Sequence, residues 1–232
     1  MSRTEKAGAH LPEYLTEGLV LTVSAGLLAF ALLSGKVLSG GTYRFDERVL
    51  LALRDPGDPS NPFGPEWLEI VVRDISALGG FTVLTLITLA VCGYLWLRGS
   101  PRFALFILIS IAGGSLLNTL LKGLFDRPRP DLVPHGTPAA LSSFPSGHAM
   151  MSTVVFLTLG ALLAFASQDR RIKAYILGWA VSLTVLVAFS RVYLGVHWPT
   201  DVIAGWVAGS TWALICLMAG RLLQSRTRLL AD

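Results

Sequence analysis

"FALFILISIAGGSLLNTLLKGLFDRPRP" runs from Phe103 to Pro130. It carries no charge as far as Leu121, then crowds Lys122, Asp126, Arg127 and Arg129 into a few residues. A helix of about 20 apolar residues crosses roughly 30 Å of hydrocarbon. In lipid a spanning segment must pair its own backbone groups, which a helix does. The stretch therefore reads as a membrane-crossing helix that opens onto a cationic cluster at the bilayer surface.

Composition extends that reading to the whole chain. Of 232 residues, 53% are hydrophobic and only 15% charged, against about 25% charged in a soluble domain. Five further apolar segments, Leu19–Leu33, Ile75–Leu97, Ala149–Ala166, Ala174–Phe189 and Val202–Leu223, are candidate spans. No repeat or low-complexity segment divides them. The expected fold is all-α, a polytopic membrane bundle of six transmembrane helices in one membrane-embedded domain over residues 1–232. A net charge of +4 without a basic tract or aromatic platform points to no nucleic-acid partner. Cys92 and Cys216 lie inside apolar runs and have no metal-site spacing.

Short-loop lysines and arginines set orientation. Arg98 and Arg102, then Arg170, Arg171 and Lys173, then Arg221, Arg226 and Arg228 fall on one face if the spans alternate. That face is expected to be cytoplasmic, with both termini. Lys36–Asp74, Lys122–His148 and Ser190–Asp201 then share the outer face of a bacterial-type inner membrane. Lys122, Arg127 and Arg129 run against the charge rule unless they have a functional role. Arg3 and Lys6 before the first apolar segment resemble the start of a signal peptide; the expectation is a retained span.

In the long Lys36–Asp74 connection, "RFDERVLLALR" places Phe45, Val49 and Leu53 on one helical face. It suits a helix lying on the bilayer and, equally, a loop helix packed on the bundle. Pro56, Pro59, Pro62 and Pro65 break regular structure until Trp67.

Three outer-face stretches carry the chemistry. In "KGLFDRPRP" two prolines stiffen the backbone that presents the arginines, and a rigidly held guanidinium suits a pair of phosphate oxygens. In "FPSGHAMM", Phe144–Met151, Ser146 and Gly147 stand where a helix leaves its first amides unpaired, a natural anion site. His148 follows on the first turn. The bland alternative is a serine N-cap beside a satisfied histidine. In "SRVYLGVHWPTD", Ser190–Asp201, Pro199 suits the first position of a helix. Asp201, four residues beyond His197, can bind one ring nitrogen and leave the other free to attack. Singly these are weak signals. Together they place one lysine, two arginines, two histidines and an aspartate at one end of the bundle, as phosphoryl transfer requires.

The set resembles the signature of the phosphatidic acid phosphatase type 2 superfamily, integral-membrane lipid phosphatases. Lys122, Arg129 and Pro130 match its first motif, Pro145 to His148 its second, and Ser190, Arg191, His197 and Asp201 its third. The N-terminal third matches only in topology. The resemblance implies that His197 attacks phosphorus, Asp201 orients it, and His148 protonates the leaving oxygen and then helps activate water. Lys122, Arg129, Arg191 and the Ser146–Gly147 amides would bind the phosphoryl oxygens. No metal and no cofactor are implied, since Asp201 is a lone carboxylate among basic groups.

The expected activity is hydrolysis of a lipid phosphate or diphosphate at the outer face through a phosphohistidine. Undecaprenyl diphosphate is the first choice, and phosphatidylglycerol phosphate and phosphatidic acid follow, then lipid A. A phosphotransferase would use the same residues. An anion channel or transporter is the rival class, but no inverted repeat is evident. Several residues are set aside. His10 and His135 read as solvated. Asp126 and Arg127 read as a pair or a headgroup contact. Asn118 reads as an interhelical hydrogen bond, and Gly205 and Gly209 as close packing. Trp67, Trp96, Trp198 and Trp212 read in part as interfacial anchors.

Overall fold

The computed structural model describes residues 13–131 and 142–229; His10 and His135 lie outside them. Among the described residues eight helices follow one another: α1 (Glu13–Leu38), α2 (Tyr43–Leu51), α3 (Glu66–Ala77), α4 (Phe81–Leu97), α5 (Pro101–Leu124), α6 (Gly147–Ala166), α7 (Arg170–Tyr193) and α8 (Pro199–Leu229). Among the described residues the one β feature is an isolated bridge between Arg54 and Pro62. Five helices, α1 and α5 to α8, are long and apolar enough to cross a membrane singly.

The sixth candidate span departs from expectation. A continuous span over Ile75–Leu97 is replaced by α3 and α4, bent by 48° at Leu78–Gly80. The reason is a close approach of other helices. A Cβ on Gly79 would fall 2.3 Å from Val187 Cγ1 and 3.4 Å from the His148 carbonyl oxygen. Only a glycine corner lets α7 and the start of α6 approach so closely. The break thus stands beside His148.

Burial identifies the central helix. The apolar stretch of α6 is 56% buried, whereas that of α5 and that of α7 are each 22% buried and that of α1 is 6%. α6 packs chiefly against α7 and α8. Gly205 and Gly209 make the α8 contact possible, because a Cβ on either would lie 2.6 Å from a carbonyl oxygen of α6 or its cap, Ser146 and Met150 respectively. The glycine pair thus serves packing within the bundle, as its spacing suggests. On the other flank Leu84, Ile107, Val155 and Leu159 form the core between α4, α5 and α6.

α2 packs on the bundle. Leu50 is wholly buried against Ala149, Ala188, Val192 and Val202, with Val49 and Leu53 beside it. Phe45 does not share that face; it is 51% exposed, and Asp46 takes the buried position. The proline-rich segment is irregular up to α3, which starts at Glu66. Trp67 and Trp96 are exposed, as anchors would be. Trp198 and Trp212 instead donate their ring N–H groups to the carbonyls of Pro128 and Ser110.

Candidate active site

Helix alternation brings four helix ends together: the last turn of α5 with Lys122, the start of α6 with Ser146–His148, the last turn of α7 with Arg191, and the start of α8 with His197–Asp201. Arg102, Arg170, Arg171, Lys173 and Arg221 sit toward the opposite ends of α5, α7 and α8, with Arg98 just past the end of α4. The charges of Arg191, His197, Arg129 and Lys122 all act on the His148 ring, so the three motifs converge in one place.

At its centre, His197 Nδ1 lies 3.4 Å from Asp201 Oδ2. If Nδ1 carries the proton for this contact, the Nε2 lone pair is free. The ring is only 2% exposed. Burial pushes the imidazole down to about 4 despite the opposing pull of Asp201, so the ring is neutral near pH 7, as a nucleophile must be. The main chain helps to hold Asp201, whose Oδ2 also accepts the Trp198 N–H at 3.1 Å. Pro199 begins α8, which allows the chain to turn there between imidazole and carboxylate.

The cations are held by backbone carbonyls and a serine hydroxyl rather than by acids. Lys122 Nζ donates to the Ser142 carbonyl at 2.7 Å, and Arg129 Nη1 to the Val196 carbonyl at 3.2 Å. Burial pulls the Arg129 guanidinium below its usual value, with Asp201 opposing. Arg191 Nη1 donates to Ser76 Oγ at 2.6 Å, which ties α7 to α3 beside the glycine corner. Arg129 Nε and Arg191 Nε are buried without partners. Unpaired buried donors are costly; these would pair with an anion.

Ser146 does not act as a side-chain cap for α6. Its Oγ is buried and unpaired, while its N–H donates to the Asp201 carbonyl at 3.0 Å. The bland N-cap reading is thus not realised. The hydroxyl and the first-turn amides of α6 are donors of the kind that bind an anion. Ser190, a signature position, turns its hydroxyl back onto the Val187 carbonyl.

Arg127 is the residue that sequence reasoning set aside wrongly. It pairs neither with Asp126 nor with a headgroup position, being only 6% exposed. Its Nη1 reaches Asp201 Oδ1 at 2.6 Å and Thr200 Oγ1 at 2.8 Å; its Nη2 reaches Asp46 Oδ2 at 2.6 Å. Asp46 in turn accepts the Thr200 N–H and hydroxyl. The two carboxylates outweigh burial and raise the Arg127 guanidinium above its usual value. Asp46 was not singled out in the sequence, where Phe45, Val49 and Leu53 alone marked a face of this helix. The available signal was the second arginine in the proline-stiffened "DRPRP" segment.

From His148 a groove of about 440 Å³ runs between α4 and α5. Asn118 and Ser115 line its upper part, and Leu84, Leu89, Leu108 and Ile111 its lower part. Along α5, Asn118 to Leu108 corresponds to about 15 Å. Its outer edge faces lipid, where Phe81 and Leu89 are exposed.

The model of the PAP2 superfamily matches residues 103–223. The chain is 32% identical over 190 residues to phosphatidylglycerophosphatase B of Bacillus subtilis, covering 78% of this chain and 86% of the relative. It is 36% identical over 126 residues to a putative undecaprenyl-diphosphatase of Escherichia coli, covering 52% of this chain and 59% of that one. A crystal structure of a transmembrane PAP2-type phosphatidylglycerolphosphate phosphatase from Bacillus subtilis superposes with a TM-score of 0.74 at 27% identity, over 86% of this chain and 96% of that one. Family model, sequence relative and solved fold agree over most of the chain, and the chain belongs to the PAP2 superfamily of membrane phosphatases.

Proposed function

We propose that the protein hydrolyses a lipid phosphate at the outer face of a bacterial inner membrane through a phosphohistidine. The observation that carries this reading is the buried His197, oriented by Asp201 at 3.4 Å in the field of Arg129 and Arg191. His197 Nε2 bonds to phosphorus as the bond from phosphorus to the lipid oxygen breaks, and His148 gives that oxygen a proton. Lys122, Arg129, Arg191, Ser146 Oγ and the first amides of α6 would carry the charge on the phosphoryl oxygens. Water, relieved of a proton by His148, then displaces the histidine and yields inorganic phosphate.

The groove supports a lipid leaving group, since it links the His148 end to an apolar channel open toward the bilayer. Phosphatidylglycerol phosphate is the favoured substrate, because similarity to phosphatidylglycerophosphatase B extends over most of both chains. Undecaprenyl diphosphate follows, supported by a match over about half of this chain.

A phosphate-release panel in detergent tests the reading: phosphatidylglycerol phosphate, undecaprenyl diphosphate and phosphatidic acid, each with and without chelator. Release is expected from at least one, insensitive to chelator, inhibited by vanadate and lost in His197→Ala. Near-normal turnover by folded His197→Ala protein would remove the phosphohistidine. Labelling from the two sides of oriented vesicles tests the face.

A further inference from the structure

At the upper end of the groove, one polar side chain serves neither the fold nor the proposed reaction. Asn118 stands one turn before Lys122 on α5 and lines the groove beside Ser115, Gly147 and His148. The interhelical hydrogen bond expected of it is not made by its carbonyl: Oδ1 is buried and has no partner. A Cβ placed on Gly147 would lie 3.4 Å from Asn118 Nδ2, 3.6 Å from Oδ1 and 3.6 Å from Lys122 Cε. The carboxamide therefore rests against the helix start that would hold the phosphate, on the side from which the leaving group departs into the groove.

A buried carbonyl oxygen without a donor is costly. Turning the amide over would instead bury the two N–H donors in that place without an acceptor. Candidate leaving groups differ in what they offer next to the scissile ester. A prenyl diphosphate presents a second phosphoryl group there, and ionised phosphoryl oxygens only accept. A diacylglycerol presents an acyl ester, which also only accepts. An unacylated glycerol presents a free hydroxyl on the carbon adjoining the ester carbon, and a hydroxyl donates.

We propose that Asn118 is a specificity-determining residue whose carboxamide oxygen accepts a hydrogen bond from a free hydroxyl vicinal to the scissile ester. The site accordingly favours lipids whose terminal phosphate is carried by an unacylated glycerol. This rests on the phosphatase reading above and narrows it to one class of leaving group.

The test compares kcat/KM for short-chain phosphatidylglycerol phosphate and for its analogue lacking the headgroup's free hydroxyl, with wild-type protein and Asn118→Leu. Wild type is expected to prefer the hydroxyl-bearing lipid by about tenfold, the worth of one well-placed hydrogen bond. In Asn118→Leu the ratio is expected to fall close to one. Equal use of both lipids by wild type overturns the proposal, and so does an undiminished preference in Asn118→Leu. The wild-type comparison decides by itself if the variant fails to fold. Phosphate release from neither lipid, nor from phosphatidic acid or undecaprenyl diphosphate, would instead overturn the phosphatase reading beneath it.

Discussion

Arg127 grips Asp201 at 2.6 Å through the carboxylate oxygen that faces away from His197. Two carboxylates, Asp46 and Asp201, share this one guanidinium, and all three side chains are almost wholly buried. The group sums to one negative charge directly behind the imidazole. That excess is what a positively charged phosphoimidazole needs, so Arg127 positions the orienting carboxylate without cancelling its effect.

Removing the guanidinium leaves two buried carboxylates unpaired. Losing one partner of a buried pair typically costs about 3–5 kcal/mol. Arg127→Met is expected to lose that much stability and to lower kcat with little change in KM. Adding Asp46→Asn should restore part of the stability, because one of the stranded charges is then gone. A thermal-unfolding double-mutant cycle in detergent reads the coupling. Additive effects of the two changes would contradict the shared-guanidinium geometry.

His197 makes stability depend on pH with a defined sign. Its ordinary value of 6.5 in the unfolded chain is pushed down to about 4 by burial in the folded one. Between these values the unfolded state binds the extra proton, so stability is full above about 6.5 and is lost as pH falls toward 4. His197→Gln removes the group. The wild-type unfolding midpoint should therefore drop more steeply than the variant's across that window, and parallel curves would contradict the buried neutral imidazole.

The helices and the three motifs were legible because each is a local pattern. Hydrophobic length reports a span, and His197 and Asp201 are only four residues apart. Asp46 and Arg127 are 81 residues apart, and each looks solvated in its own segment. Their pairing follows from α2 docking through Leu50, which neither helical periodicity nor charge reveals. The Leu78–Gly80 break fell inside what read as one continuous span, because it accompanies the approach of Val187 and His148 from other helices. Asn118 was read as a bundle contact because a membrane asparagine ordinarily finds a partner helix; here the space opposite it is a groove.

Packing between α6 and α8 should prove sensitive at one methyl group. A Cβ on Gly205 would come 2.6 Å from the Ser146 carbonyl oxygen, and backbone cannot yield as a flexible side chain does. Overpacking of this kind costs about 1–3 kcal/mol. Gly205→Ala is expected to lower the unfolding midpoint and to impair phosphate release, since Ser146 is displaced with α6. Gly178 on α7 has nothing within 4 Å of its Cβ position. Gly178→Ala is therefore the control, neutral or stabilising by about 0.5–1 kcal/mol. Equal effects at the two positions would argue against the close contact.

The groove predicts a separation between chemistry and lipid recognition. Ala112 lines it on α5 and faces outward between the polar upper part and the apolar lower part. A bulky ring there narrows the channel without touching Lys122, Arg129, His148 or His197. With Ala112→Trp, KM for a long-chain lipid phosphate should rise by about tenfold or more, the worth of roughly 1.4 kcal/mol of lost tail contact. Turnover of a small soluble ester such as p-nitrophenyl phosphate, which has no tail to place, should stay within about twofold of wild type. Parallel loss on both substrates would mean that the ring had disturbed the phosphoryl site itself. Unchanged kinetics on the long-chain lipid would mean that the tail leaves the His148 end by another path.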